Sequence, residues 1–198
     1  PWCYEKKVKF ICPAPGYDRH FQIGEFYGAE LIYVPMLSTG PDMDMIEELV
    51  ANDSTIKGMW SVPKYSNPTG ITYADDVVRR LAGMKCAAPD FKIFWDDAYA
   101  VHFLEGEPDN ILSLIDECDK AGNPDRCICI TSTSKITFPG GGVAAIAGSL
   151  NTVNYIKKCF TTQTIGPDKL NQLRHINYIK DYPSLMEHMA KHAKILAP

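Results

Sequence analysis

No apolar run in this sequence approaches the roughly 20 residues that a membrane-spanning helix needs, so a membrane protein is not expected. A basic excess is missing too. Lys and Arg total 20 against 24 Asp and Glu, a formal net charge of −4, whereas a nucleic-acid partner calls for clustered positive charge. The seven cysteines include no paired Cys or His motif of metal-ligand spacing, and Cys127 and Cys129 merely alternate within one apolar run. No metal site is therefore expected. An odd number of cysteines, several inside apolar runs (Cys12, Cys127, Cys129), suits reduced core thiols and a cytoplasmic location. No secretory leader is expected, and the sequence shows no internal repeat or low-complexity linker. The chain opens on Pro1-Trp2-Cys3 without an initiator methionine and closes on Pro198, which reads as a piece of a longer protein.

What is present is an ordinary globular composition, 45% hydrophobic and 22% charged over 198 residues, enough for one full core or two small ones. Apolar runs at 8–11, 30–36, 56–62, 91–95, 126–130 and 143–147 read as strands. Between them, residues 18–27, 41–49, 74–86 and 110–121 carry apolar side chains at helical spacing. Strands alternating with helices predict an α/β fold, a three-layer α-β-α sandwich on a mostly parallel sheet. Beyond residue 150 the pattern turns helix-rich, over 153–160, 168–180 and 184–196, with charged residues such as Lys157, Lys169 and Lys191 read as a solvated face. In open α/β sheets ligands gather beyond the carboxyl ends of the strands.

Three polar motifs stand at such ends. Asn67-Pro68-Thr69-Gly70 follows the 56–62 strand, Asp96-Asp97-Ala98-Tyr99 follows 91–95, and Thr131-Ser132-Thr133-Ser134-Lys135 follows 126–130. Each alone has a plain structural reading, as a turn, a helix cap or a loop lysine. Together they offer an amide, a carboxylate with a phenol, and an amine boxed by hydroxyls. Two carboxylates after a buried strand are costly unless a cation meets one of them, and a pyridinium N–H is such a partner. A lysine becomes useful as a nucleophile when an aldehyde cofactor accepts its amine, and Ser132 and Ser134 can donate to a phosphate. A flat, anionic, carbonyl-bearing cofactor fits this set, and pyridoxal 5'-phosphate is one.

With Asn-Pro-Thr-Gly, Asp-x-Ala-Tyr and Ser-x-x-Lys in this order, the chain resembles the fold-type I pyridoxal-phosphate enzymes, the aspartate aminotransferase superfamily. The stretch Pro15-Gly16-Tyr17-Asp18-Arg19-His20 and the segment from Gly166 to His175 are similar to a bacterial subgroup of aspartate or alanine–glyoxylate type. The resemblance implies a large-domain fragment of an aminotransferase that moves an amino group between an amino acid and a 2-oxo acid as a homodimer. It implies that Lys135 bonds to the cofactor and shuttles the proton, and that Asp96 pairs with the pyridine nitrogen. Asn67 and Tyr99 would bond the ring hydroxyl oxygen, Ser132 and Ser134 the phosphate, and Tyr17 would stack on the ring. Residues 1–165 would form the cofactor-binding domain, incomplete on its N-terminal side, and 166–198 would lead toward a small domain.

Two departures qualify the match. Many members of that family carry a phosphate-binding arginine seven or eight residues beyond the lysine, where Gly142 and Val143 stand here, so backbone N–H groups of the glycine run are the expected substitute. The upstream phosphate loop and the substrate-carboxylate arginine are not in these residues, so the isolated chain is expected to hold cofactor weakly and to lack activity. A lyase or decarboxylase of the same fold, or a catalytically silent regulatory module, is the alternative reading. Arg19, His20 and His102 are weighed as substrate-side residues against surface or helix-end positions, and Trp2, Trp60 and Trp95 as core.

Overall fold

The computed structural model describes residues 2, 5 and 7–197; Pro1, Cys3 and Pro198 lie outside them. Seven strands, β1 (Lys9–Ala14), β2 (Glu30–Leu37), β3 (Gly40–Pro41), β4 (Ile56–Ser61), β5 (Lys92–Asp96), β6 (Cys127–Ser132) and β7 (Ala144–Gly148), form one sheet. Its order is β3-β2-β1-β4-β5-β6-β7. The four central pairings are parallel, and only the outer strands β3 and β7 run antiparallel to their neighbours. The mostly parallel α/β sheet expected from the sequence is present.

Side chains alternate across this sheet, and the alternation sorts the molecule into two faces. One face carries Ile11, Val34, Met59, Ile93 and Trp95. It is covered by α2 (Met43–Asn52), α3 (Asp75–Gly83) and α4 (Leu114–Lys120), whose Ile46, Val50, Val78, Leu81 and Leu114 are all 1% exposed or less. The other face carries the aromatic group Phe10, Trp60 and Phe94, with ring centroids 4.8–6.2 Å apart, and faces α1 (Asp18–Phe26). In β5, Ile93 and Trp95 are buried while Lys92, Phe94 and Asp96 alternate with them. Asp96 therefore ends its strand on the α1 side.

Two predicted helices begin later than their sequence pattern suggested. Gly40 and Pro41 pair with Leu37 and Met36 as a short strand, so α2 starts at Met43, capped by Asp42, whose carboxylate accepts the Met45 N–H at 3.1 Å. The helix read over 110–121 begins only at Leu114, because Ser113 caps it by accepting the Asp116 N–H at 3.3 Å. Ile111 and Leu112 still pack against the core, from a loop. Of the last three helices, α5 (Leu150–Gln163) and α7 (Tyr182–Leu196) are longer than expected, and α6 (Lys169–Tyr178) is shorter at both ends. Their solvated face is not purely charged: Leu150, Phe160, Leu170, Ile176 and Tyr182 are exposed as well.

Candidate active site

At the carboxyl ends of β4, β5 and β6, one cavity of about 230 Å³ is lined by Tyr17, Val62, Asn67, Asp96, Ala98, Tyr99, Ser132, Ser134 and Lys135. All seven residues singled out from the sequence border this one space. Each arrives by a different local device. Tyr17 precedes α1 and caps it in an extended conformation. Asn67 stands in the loop after β4, and Asp96 is the last residue of β5. Ser132 ends β6, and its hydroxyl accepts the Ser134 N–H at 3.4 Å to start a 3-10 turn, Thr133–Lys135. Tyr99 and Lys135 meet at the rim, with Nζ 5.5 Å from the phenol ring centroid.

Lys135 is exposed rather than enclosed. Thr133 and Ser134 of its turn are half-buried, and no residue of the turn is fully buried. Asn67 is exposed in the same way at the mouth.

His20 proves more important than a helix-end or substrate-side reading allowed. It is 6% exposed; its Nε2 lies 3.0 Å from Asp96 Oδ2, and its ring stacks on Trp60 with centroids 4.4 Å apart and planes within 12°. Tyr17 meets the same imidazole edge-on at 5.2 Å. Trp60 is thus neither simple core nor ligand platform, since it backs the histidine that holds Asp96. The contact spans 76 residues, and only the Asp-after-strand signal, which demands a partner, could have hinted at it. Arg19 stays exposed and donates to Gln22 at 3.0 Å, which fits the surface reading.

A second layer braces the turn after β5. Lys64 is 2% exposed, and its amine donates to the Ala100 carbonyl at 3.0 Å. Burial lowers its pKa, despite the opposing fields of Asp97 and Asp109. Burial raises the pKa of Asp97, outweighing Lys64, and Asp97 Oδ1 is buried without a protein partner. His102 Nε2 lies 3.1 Å from the Lys135 carbonyl; a carbonyl only accepts, so Nε2 carries the proton. Burial lowers the His102 pKa, and its Nδ1 has no protein partner. The ring is therefore held in one neutral tautomer against the lysine turn.

The donor set fits pyridoxal phosphate. Asp96 Oδ2 is engaged by His20, which leaves Oδ1 to accept from a ring N–H. The same cavity is lined by an amide, two phenols, an amine and two serine hydroxyls. That combination, one carboxylate with several donors, suits a protonated pyridine that bears a phosphate. Among the described residues no group of three or more His, Cys, Asp or Glu could hold a metal ion.

Comparison with known proteins agrees with this geometry. The family profile described as aspartate amino-transferase matches residues 1–198. An aspartate aminotransferase of Corynebacterium glutamicum is 49% identical over the whole chain, which covers 46% of that protein. A crystal structure of an aspartate transaminase from the same organism superposes with a TM-score of 0.95 at 48% identity, covering 98% of this chain and 46% of that one. The chain thus spans about half the length of the curated relatives it matches. With its profile matched from end to end and relatives near half identical along its full length, the chain belongs to the aspartate aminotransferase family.

Proposed function

We propose that the protein to which these residues belong is a pyridoxal-phosphate-dependent aminotransferase, exchanging an amino group between an amino acid and a 2-oxo acid. The observation that carries this reading is the convergence of Lys135, Asp96, Asn67, Tyr99, Tyr17, Ser132 and Ser134 on one cavity. When bound, the cofactor supplies an electron sink for the substrate carbanion. The chain's own residues have separate tasks. Asp96, fixed by His20, keeps a carboxylate at the ring-nitrogen end, where negative charge favours a protonated ring. Asn67 and Tyr99 would donate to the ring oxygen, and Tyr17 would stack on the ring. Ser132 and Ser134 hold the phosphate. Lys135 would provide the amine for covalent attachment, and its Nζ would hold and release the transferred proton.

The 49%-identical relative is named for aspartate, which makes aspartate the first amino donor to assay. We also place the protein in the cytoplasm, where the free thiols of Cys12, Cys118 and Cys127 stay reduced. A homodimer is part of the same proposal, and the apolar side chains exposed on α5 to α7 support it. A division into 1–165 for the cofactor and 166–198 leading onward also belongs to it. The test is a visible-absorbance titration of the full-length protein with pyridoxal phosphate, then borohydride reduction and peptide mapping. Label on Lys135 is the expected result; label on a different lysine rejects the assignment.

A further inference from the structure

The segment Gly166-Pro167-Asp168-Lys169-Leu170-Asn171-Gln172-Leu173-Arg174-His175 is set apart by its sequence, yet it contributes nothing to the lining of the cavity. It holds the start of α6. Asp168 accepts the Asn171 N–H at 3.0 Å, which begins the helix at Lys169 and sets Asn171 and His175 four residues apart on one face. Both side chains reach back about 30 to 40 residues. Asn171 Nδ2 donates to the carbonyls of Gly141 at 2.7 Å and Gly142 at 3.3 Å. His175, 9% exposed, places Nε2 3.0 Å from the hydroxyls of Thr133 and Thr137. Its Nδ1 lies 2.9 Å from the Asn171 carbonyl. That carbonyl can only accept, so Nδ1 carries the proton, and in the neutral ring Nε2 accepts from the Thr133 hydroxyl.

Thr133 lies two residues before Lys135 and is tied on every side. Its hydroxyl accepts the Val143 N–H at 2.9 Å, and its N–H donates to the Val143 carbonyl at 2.9 Å. Its carbonyl accepts the N–H groups of Ile136 and Thr137 at 2.9 and 2.8 Å, which closes the turn. Gly142 approaches so closely that a Cβ there would stand 2.5 Å from Ser134 Oγ and 3.0 Å from the Ser134 nitrogen. The lysine turn and the glycine loop are therefore one packed unit. Helix α6 grips both halves, Asn171 the glycine loop and His175 the turn.

We infer that Asn171 and His175 are positioning residues for Lys135, holding its turn in register with the glycine loop so that the amine meets the cavity at a fixed place. The role of the amine rests on the function proposed above; the holding of the turn does not. The test compares, in the full-length protein, His175→Phe, which keeps the ring shape and loses both nitrogens, with His175→Gln, which keeps a donor and an acceptor. Two readings are made. One is amide hydrogen exchange across residues 133–143 in cofactor-free protein, with the amides of β1 and β4 as internal reference. The other is the pH midpoint of the visible band after pyridoxal phosphate is added, together with borohydride trapping on Lys135.

In the Phe variant, exchange at 133–143 should rise about tenfold over the reference strands. The midpoint should move by roughly half a unit or more, and Gln should restore most of both. A folded Phe variant with unchanged exchange and unchanged midpoint overturns the inference. Should that variant fail to fold, Thr133→Val, which removes only the bridging hydroxyl, is judged by the same two readings. If unaltered protein is not trapped on Lys135, the proposed function fails, and the exchange result still decides whether α6 holds the turn.

Discussion

His20 decides how Asp96 is presented. A hydrogen bond to a charged group contributes about 1.5–3 kcal/mol, and the imidazole is locked in place by the Trp60 stack. Replacing His20 by Phe keeps the stack and removes the bond, so pyridoxal phosphate should bind roughly ten- to a hundredfold more weakly, measured by equilibrium dialysis of the full-length protein. Unchanged affinity would show that Asp96 needs no help. His102 gives a pH dependence whose sign follows from its lowered pKa. A histidine that is harder to protonate when folded contributes stability present above its unfolded pKa, about 6.5, and lost as pH falls through the folded value. Thermal melts between pH 7 and 5 should therefore show a decline that His102→Gln flattens, and an equal slope in both proteins rejects the assignment. The glycine run also reads differently with atoms in view. Gly142 faces Ser134 so closely that Gly142→Ala would disturb the turn whether or not its N–H meets a phosphate, so loss of cofactor in that variant could not identify an anion nest.

Helices and strands show which features sequence makes legible. Gly58 in β4 lies beneath Phe10, whose ring carbons would sit 2.5 Å from an added Cβ. Gly58→Ala should destabilise the domain by roughly 1–3 kcal/mol through overpacking, read as a lower urea midpoint with an unchanged slope; a neutral result would mean that Phe10 swings aside freely. The strands and the order of helices were readable because burial imposes a period, two for Ile93 and Trp95 and near 3.6 for Val77, Val78 and Leu81. Lys135, Asp96 and Asn67 were readable because each is a polar residue directly after an apolar strand. Strand β3 was not, since two residues carry no period. The first turn of the 110–121 helix misled because Ile111, Leu114 and Ile115 keep helical spacing although Ser113 supplies the cap. The contacts of His20, Asn171 and His175 escaped for a different reason. Their partners lie about 30 to 76 residues away, and local pattern holds no trace of such contacts.

The whole molecule is one layer of well-filled core joined to open surfaces. The side of the sheet under α2 to α4 is closed, while the side facing α1 leaves an apolar groove of about 380 Å³ between Phe10, Trp60, Phe94 and Ile23. Tyr27 and Phe26 are more than four-fifths exposed nearby, and Leu170 and Ile195 on the C-terminal helices and Ile165 between α5 and α6 stand open. So much apolar surface is unusual for a free monomer. The 198-residue chain expressed alone should therefore self-associate, and light scattering coupled to size exclusion should give a mass above the 22.1 kDa monomer. A monodisperse monomer at high concentration would show that these faces tolerate water.

The stack of Trp60 on His20 has an optical consequence. The imidazole touches both the indole and the carboxylate that lines the cavity. Trp95 lies buried on the opposite side of the sheet, edge-on to Tyr73. Of the three tryptophans, Trp60 stands beside the candidate site, Trp2 lies against Phe10 and Phe94, and Trp95 is shielded across the sheet, so a ligand that meets Asp96 should change the emission of Trp60 and leave that of Trp95 as a reference.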